Sequence, residues 1–232
     1  MSKSFDDLLA KVSQCSRKTV SVAVAQDAPI LEAVKAAKEK GIADAILVGD
    51  EAKIREVADQ IGMDLTGYEI VNEPDDIEAS LKAVKLVHDH KADMYMKGLL
   101  STKDFLKSVL NKEVGLRNGK PLSHVCVFEI PGIDRLLYLT DVAFMTYPSL
   151  EEKKSIIENS VEVAHACGIP CPKVAPLAAV EVVNPKMPVT VEAAELTKMN
   201  ENGEITGCIV DGPLSMDLAI EPEANTILGH KI

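Results

Sequence analysis

The stretch Thr19-Val-Ser-Val-Ala-Val-Ala25, followed after a helical segment by Ala45-Ile-Leu-Val-Gly49, decides the fold class of this chain. Both stretches are short and almost continuously aliphatic, which is typical of strands that are buried on both faces. Between them, Pro29 opens a helical segment that Gly41 closes. A buried strand, a helix and a second buried strand in this order predict a parallel βαβ unit.

The same alternation continues along the first half of the chain. Further strands are predicted at Tyr68-Glu-Ile-Val71 and at Ala92-Asp-Met-Tyr-Met96, each after a helical segment. After Leu110, the turn-rich run Gly115-Leu-Arg-Asn-Gly-Lys-Pro121 predicts a crossover between lobes. We therefore expect an α/β protein of two lobes, with parallel or mixed sheets flanked by helices. The lobes would comprise residues 1–122 and 123–232, with a boundary near Leu122.

The second half of the chain predicts a hairpin before the strand–helix alternation resumes. Strand-like residues 124–130 and 135–140 flank Pro131-Gly-Ile-Asp134, which is a turn sequence. Ser149-Leu-Glu-Glu152 is a capping-box pattern for a long helix that reaches Cys167. A strand over residues 174–180, a helix over 189–200 and a strand over 207–211 complete the predicted second lobe.

Charge and composition narrow the function classes. The chain has 232 residues, a net charge of −11 and only 3% aromatic residues. An acidic chain without a basic patch is not expected to bind nucleic acid. No apolar run is long enough to span a bilayer, and residues 1–7 lack the pattern of a signal peptide. We expect a cytoplasmic protein without a membrane partner.

The five cysteines predict reduced thiols rather than disulfides. They are Cys15, Cys126, Cys167, Cys171 and Cys208, an odd number that is widely scattered. The close pair Cys167 and Cys171 has only His165 as a nearby nitrogen, so a zinc site would lack ligands. We expect spectator thiols and no metal site.

The run Lys97-Gly-Leu-Leu-Ser-Thr-Lys103 is the best candidate for chemistry. It predicts a strand end that leads into a helix opening at Ser101-Thr102. The hydroxyls and free N–H groups of a helix N-terminus favour an anion, and Lys97 and Lys103 add positive charge. Gly98 would let the backbone approach a ligand closely. The alternative is that Ser101 or Thr102 only caps its own helix.

Two further strand ends carry polar side chains. Thr140-Asp141 ends one predicted strand, and Asp211-Gly-Pro-Leu-Ser-Met-Asp217 follows another. Ligands in open α/β sheets bind beyond the carboxyl ends of strands. We therefore expect Asp141, Asp211, Gly212 and Ser215 to contact a ligand, although such an aspartate is more often a cap or turn former.

The order of these motifs resembles that in the phosphate acetyl/butyryltransferases, and Gly115-Leu-Arg-Asn-Gly-Lys-Pro-Leu-Ser-His-Val125 is closer to the butyryl branch. The resemblance covers almost the whole chain. It implies a two-lobed fold similar to that of isocitrate and isopropylmalate dehydrogenases. It also implies the reaction of a short acyl-CoA with phosphate, with coenzyme A as a substrate, no metal and no cofactor. We expect butyryl or a branched short chain as the acyl group, and a homo-oligomer.

The sequence departs from the pattern of the family that it resembles in two respects. Lys107 stands where the acetyl branch has a phosphate-binding Arg, and Arg117 is a second candidate contact. A Ser-Arg pair and an Asp that the family carries near its C-terminus find no match in these 232 residues. The catalytic residues are therefore unassigned, and we expect a weakly active or inactive fragment that binds CoA or phosphate as the alternative to an active transferase.

A decarboxylating dehydrogenase of similar architecture is a further alternative. It would need clustered carboxylates for a metal and several arginines for a dicarboxylate substrate. The chain has four arginines, which are scattered. The sequence therefore disfavours this reading.

Overall fold

A computed structural model describes residues 2–221 of the chain. These residues form two compact units, one of residues 9–119 and the other of residues 2–8 and 120–221. The boundary near Leu122 that the sequence suggested stays a prediction. Among residues 2–221, no helix is both long and apolar enough to cross a membrane.

Four strands and four complete helices alternate in the unit of residues 9–119, and a first helix leads into it. In chain order the elements are α1 (Phe5–Val12), β1 (Lys18–Ala23), α2 (Ala28–Glu39), β2 (Ala43–Gly49), α3 (Glu51–Gln60), β3 (Glu69–Asn72), α4 (Asp76–His88), β4 (Met94–Lys97) and α5 (Thr102–Val109). Side-chain caps fix three helix starts: Asp50 accepts a hydrogen bond from Lys53 N, Asp75 from Ile77 N and Glu78 N, and Ser101 from Asp104 N.

The four strands form one parallel sheet in the order β3-β2-β1-β4. Alternate residues of the two central strands face opposite sides, as strand geometry requires. Val22 and Leu47 pack with residues of α2 and α3, and Ala23 and Val48 pack with residues of α4. The predicted α/β fold with a parallel sheet between helices is confirmed.

The sheet contains one topological switch. From β1, the chain builds β2 and β3 on one side and then returns to add β4 on the other side. In such sheets, ligands bind beyond the carboxyl ends of the strands where the direction of winding reverses. Here that position is beside the ends of β1 and β4.

The described elements of the other unit are short strands, two long helices and one short helix. They are β5 (Cys126–Phe128), β6 (Leu137–Leu139), α6 (Leu150–Ala166), β7 (Lys173–Val174), α7 (Pro188–Glu201), β8 (Ile209–Val210) and α8 (Met216–Ile220). Strands β5 and β6 form an antiparallel hairpin, and β7 and β8 form a parallel pair. Ile157 and Val161 of α6 pack with Leu196 of α7 and Val210 of β8.

The predicted strand over residues 174–180 is wrong beyond Val174. Strand β7 ends there, and beyond it a single bridge pairs Leu177 with Leu214. Pro176 has no N–H group to donate to a ladder, which interrupts the strand. The hairpin strands are also shorter than predicted, whereas the predicted capping box at Ser149 is confirmed.

Candidate anion-binding site

The end of β4 leads directly into α5 beside the end of β1. Lys97 pairs with Ala23 as the last residue of the β4 ladder. Gly98 N then donates to Ala23 O at 2.8 Å, and Leu99 N donates to Val24 O at 2.9 Å. These two bonds extend the strand pairing and fix the loop before Ser101. The start of α5 therefore lies at the switch point of the sheet.

Gly98 is glycine for a packing reason that the sequence prediction did not include. It is buried, and an added Cβ would lie 2.3 Å from the carbonyl oxygens of both Ala23 and Val24. Val24 itself has a φ of 55°, which is rare for a β-branched residue. The close approach that this glycine permits is between β4 and β1. A ligand contact of Gly98 stays a prediction.

Ser101 is the N-cap of α5, so the capping role that the sequence left open is present. Its hydroxyl accepts from Asp104 N at 3.1 Å and lies 2.7 Å from Asp104 Oδ2, to which it donates. Lys107 Nζ lies 3.2 Å from the other carboxylate oxygen. The Ser101 hydroxyl and Lys107 both lower the pKa of Asp104 below its ordinary value. Asp104 therefore stays ionised and offsets part of the positive charge of Lys107.

Thr102, Lys103 and Lys97 are the predicted contacts that this network leaves available. Thr102 and Lys103 are exposed in the first turn of α5, and Lys97 is half-buried at the end of β4. No acceptor for the N–H groups of Thr102 and Lys103 lies among the described residues. From residue 97 to residue 107 the chain carries three lysines and one aspartate. Free N–H groups and a local excess of positive charge suit a phosphate.

Arg117 lies outside this group. It is an exposed residue in the loop that follows α5. Leu116 N donates to Val109 O at 2.8 Å, which ties the start of that loop to the C-terminal end of α5. The structure therefore places Arg117 near the opposite end of the helix from Thr102.

Asp141 holds a turn in the other unit. One carboxylate oxygen accepts from Ala143 N at 2.8 Å and Phe144 N at 2.9 Å, and the other accepts from His124 N at 3.2 Å. Burial alone raises the pKa of Asp141, but these N–H groups and the nearby His124 side chain lower it more, to below its ordinary value of 3.8. Its carboxylate thus organises the backbone.

The residues after β8 form a separate group. Asp211 N donates to Val174 O at 3.0 Å, which continues the β7–β8 pairing. Gly212 lies close to Pro176, whose Cδ would be 3.0 Å from an added Cβ. The side chain of Ser215 hydrogen-bonds Asp217 and lowers the pKa of that carboxyl group. Ser215 is also the N-cap residue of the short helix α8.

Three residues that contact each other or the predicted site residues were not among the site residues predicted from the sequence. Asp104 neutralises part of the predicted anion site, which the three-residue spacing of Asp104 and Lys107 in a predicted helix could have indicated. His124 and Cys126 contact each other, with Cys126 Sγ 3.6 Å from His124 Nδ1. Their spacing of two residues in a predicted strand would have placed both side chains on one face.

Among residues 2–221, no group of three or more His, Cys, Asp or Glu side chains is arranged to hold a metal ion. The feature of the predicted site that suits an anion is the lysine-rich start of α5. The arrangement there can bind an anion and orient it beside the end of β1.

Comparison with known proteins places these features in a family. The model of the Phosphate acetyl/butaryl transferase family matches residues 4–79 and 75–229. The phosphate butyryltransferase of Clostridium acetobutylicum is 62% identical over 97% of this chain and 74% of its own length. The phosphate acetyltransferase of Thermotoga maritima is 39% identical over 95% of this chain and 74% of its own length.

Solved structures agree with these sequence matches. A branched-chain phosphotransacylase from Enterococcus faecalis V583 is 32% identical, with a TM-score of 0.78. The match covers 93% of this chain and 75% of that chain. This chain therefore spans about three quarters of the length of these three relatives.

Proposed function

This chain belongs to the phosphate acetyl/butaryl transferase family, and we propose that it transfers a short acyl group between coenzyme A and phosphate. The reaction joins an acyl-CoA and phosphate into an acyl phosphate and free CoA. We further propose butyryl or a branched short chain as the acyl group. The relatives at 62% and 57% identity are named phosphate butyryltransferases, which supports that choice.

The start of α5 is the observation that carries the proposal within this chain. The free N–H groups and hydroxyl of Thr102, with Lys97 and Lys103 beside them, would bind the phosphate or the phosphoryl group of the acyl phosphate. Lys107 would contribute less because Asp104 pairs with it. Because phosphate and acyl phosphate are both anions, one site can serve both directions of the reaction.

The mechanism needs positioning and charge stabilisation. The CoA sulfur, once deprotonated, attacks the carbonyl carbon of the acyl phosphate, and phosphate leaves with the electron pair. Positive groups that hold the departing phosphate stabilise the charge that develops on it. Holding both substrates in one geometry removes much of the entropic barrier. We propose Asp141, Asp211, Gly212, Ser215 and Arg117 as further ligand contacts, as the sequence suggested.

Other parts of the sequence prediction stay proposals. We propose that the fold is similar to that of isocitrate and isopropylmalate dehydrogenases, with lobes of residues 1–122 and 123–232. We also propose that the reaction uses no cofactor and that the chain forms a cytoplasmic homo-oligomer.

The decisive experiment measures CoA release from butyryl-CoA in phosphate buffer, together with calorimetric binding of phosphate. Lys103→Gln should weaken phosphate binding about tenfold, since a hydrogen bond to a charged group contributes about 1.5 kcal/mol or more. Lys91→Gln is the matched control, because Lys91 is exposed in the loop that precedes β4, away from α5. The proposal is wrong if the folded chain binds neither CoA nor phosphate, or releases no CoA under any tested condition.

A further inference from the structure

Gln26 is the first residue beyond the hydrogen-bonded end of β1, at the carboxyl edge of the sheet. The last bonds of that strand run from Ala25 N to Val48 O at 3.1 Å and from Leu99 N to Val24 O at 2.9 Å. Gln26 therefore leaves the sheet between the ends of β2 and β4, at the topological switch. The N-cap of α5 follows Leu99 by two residues. The residue after β1 and the start of α5 thus leave the same edge of one unit from neighbouring strands.

The side chain of Gln26 buries its oxygen without a hydrogen bond. Oε1 is inaccessible to solvent and has no partner among the described residues. It lies against Gly49 at the end of β2, where an added Cβ would be 2.1 Å from this oxygen. Buried polar atoms in folded proteins are almost always paired, and an unpaired acceptor costs stability. Packing alone therefore does not account for this position of the amide.

The amide nitrogen of the same side chain is the atom that Gln26 presents. The residue is half-buried, and Nε2 is the end of the amide that solvent reaches. No hydrogen bond of Nε2 lies within residues 2–221. With Oε1 held against Gly49, the side chain offers an N–H donor and no acceptor. Such a group selects a ligand atom that accepts a hydrogen bond, and an ionised phosphate oxygen is a strong acceptor.

We propose that Gln26 Nε2 donates a hydrogen bond to the phosphate, or to the phosphoryl group of the acyl phosphate, that binds at the start of α5. This contact adds a neutral donor from the end of β1 to the N–H groups of Thr102 and Lys103. Lysine side chains attract the anion, and a donor in a fixed position sets its orientation. The inference rests on the proposed function, because it assigns a further contact to that anion site.

Gln26→Met separates a ligand contact from a packing role, because methionine has nearly the shape of glutamine and no amide. We expect phosphate binding measured by calorimetry to weaken about tenfold, the effect of losing one hydrogen bond to a charged group. The urea midpoint should stay unchanged or rise, since the variant removes a buried acceptor that has no partner. Gln60→Met is the matched control, because Gln60 is exposed on α3 in the same unit. It should change neither quantity.

A second measurement uses the wild type. The chain has three glutamines, Gln14, Gln26 and Gln60, so isotope-labelled glutamine gives three side-chain amide signals in the NMR spectrum. Spectra of Gln14→Met and Gln60→Met identify the signal of Gln26 by elimination. We expect that signal to shift when sodium phosphate is added, and to stay in place with sodium chloride at equal ionic strength. This measurement decides the question if Gln26→Met does not fold.

Three results would overturn the inference. These are unchanged phosphate binding in folded Gln26→Met, a lowered urea midpoint without a loss of binding, or a Gln26 signal that phosphate does not move. Slower CoA release with unchanged phosphate binding would also count against it, because the amide would then contact the acyl group. Neither calorimetry nor the amide signal needs turnover. The contact can therefore be present in a chain that releases no CoA, and CoA release can proceed without it, so the two proposals fail separately.

Discussion

At the scale of single residues, carboxylates determine which neighbouring polar groups remain available to bind a ligand. Asp104 engages both the Ser101 hydroxyl and the Lys107 ammonium, which leaves Thr102 and Lys103 as the available polar groups at the start of α5. In the other unit, the carboxylate of Asp141 accepts hydrogen bonds from three backbone N–H groups. A carboxylate with three N–H donors and a lowered pKa is a poor base, and these hydrogen bonds position the backbone around Asp141.

Asp141 predicts a pH dependence of stability. Its pKa in the folded chain lies below the value of about 3.9 in an unfolded chain, so the ionised carboxylate stabilises the fold above that pH. This contribution is lost as the pH falls through the folded pKa. Asp141→Asn should therefore lower the free energy of unfolding at pH 7 by about 1 kcal/mol or more.

The measurement is urea unfolding of the wild type and the Asp141→Asn variant across a pH series. The difference between the two proteins should be largest near neutral pH and should shrink in strong acid. A difference that stays constant from neutral pH to strong acid would show that the charge of Asp141 has no part in stability. Asp134→Asn is a suitable control, because the side chain of Asp134 is 83% exposed.

At the scale of elements, helix starts determine where the chain presents backbone N–H groups. Helix α5 begins at the end of β4 because Ser101 caps it, and α6 begins with the full capping box of Ser149 and Glu152. Only α5 of these two follows a strand that flanks the topological switch. The same local chemistry therefore stabilises a helix in one place and prepares an anion site in the other.

Ser101 separates the two roles of this helix start. Ser101→Ala should destabilise the unit of residues 9–119 by about 1 kcal/mol, because Asp104 N loses its acceptor. Ser101→Gly should cost only a few tenths of that, about 0.3 kcal/mol, since glycine is tolerated at N-caps. Thr102→Val should leave stability almost unchanged and weaken phosphate binding instead.

Unfolding curves and phosphate calorimetry on the same three variants make the comparison. If Ser101→Ala changes neither stability nor phosphate binding, the N-cap hydrogen bond of Ser101 contributes nothing measurable to the free energy of unfolding. If Thr102→Val leaves phosphate binding intact, its hydroxyl is not part of the anion site.

At the scale of the whole molecule, residues 9–119 contain a complete layered structure. The four-stranded sheet and the two apolar clusters on its faces lie entirely within this unit. Each cluster includes fully buried side chains, such as Leu31 and Ile54 on one face and Val24 and Val48 on the other. A sheet that is covered on both faces satisfies the usual requirement for independent folding.

We therefore expect residues 9–119, produced alone, to unfold cooperatively in urea and to bind phosphate through the start of α5. Circular dichroism would follow unfolding, and calorimetry would measure binding, with Lys103→Gln in the same fragment as the control. A fragment without a cooperative transition would show that the two units depend on each other for stability. A folded fragment that does not bind phosphate would locate essential ligand contacts elsewhere.

The sequence by itself determined the alternating α/β elements, the parallel sheet and the family. Aliphatic strands, Pro and Gly boundaries and N-cap residues are local signals, so each element is encoded within its own segment. The predicted strand over residues 174–180 was wrong beyond Val174, because Pro176 interrupts the hydrogen-bond ladder that the apolar pattern suggested.

Only the tertiary structure decided which polar groups act on one another. Gly98 packs against the end of β1, and Asp141 accepts a hydrogen bond from the backbone N–H of His124, seventeen residues earlier. These contacts depend on strand pairing and on the directions of side chains across a hairpin. Strand register brings together residues that are distant in sequence, and neither the composition nor a local motif predicts which residues pair. The anion site was therefore predictable from one segment of the sequence, whereas the close approach of Gly98 to Ala23 and Val24 became visible only in the fold.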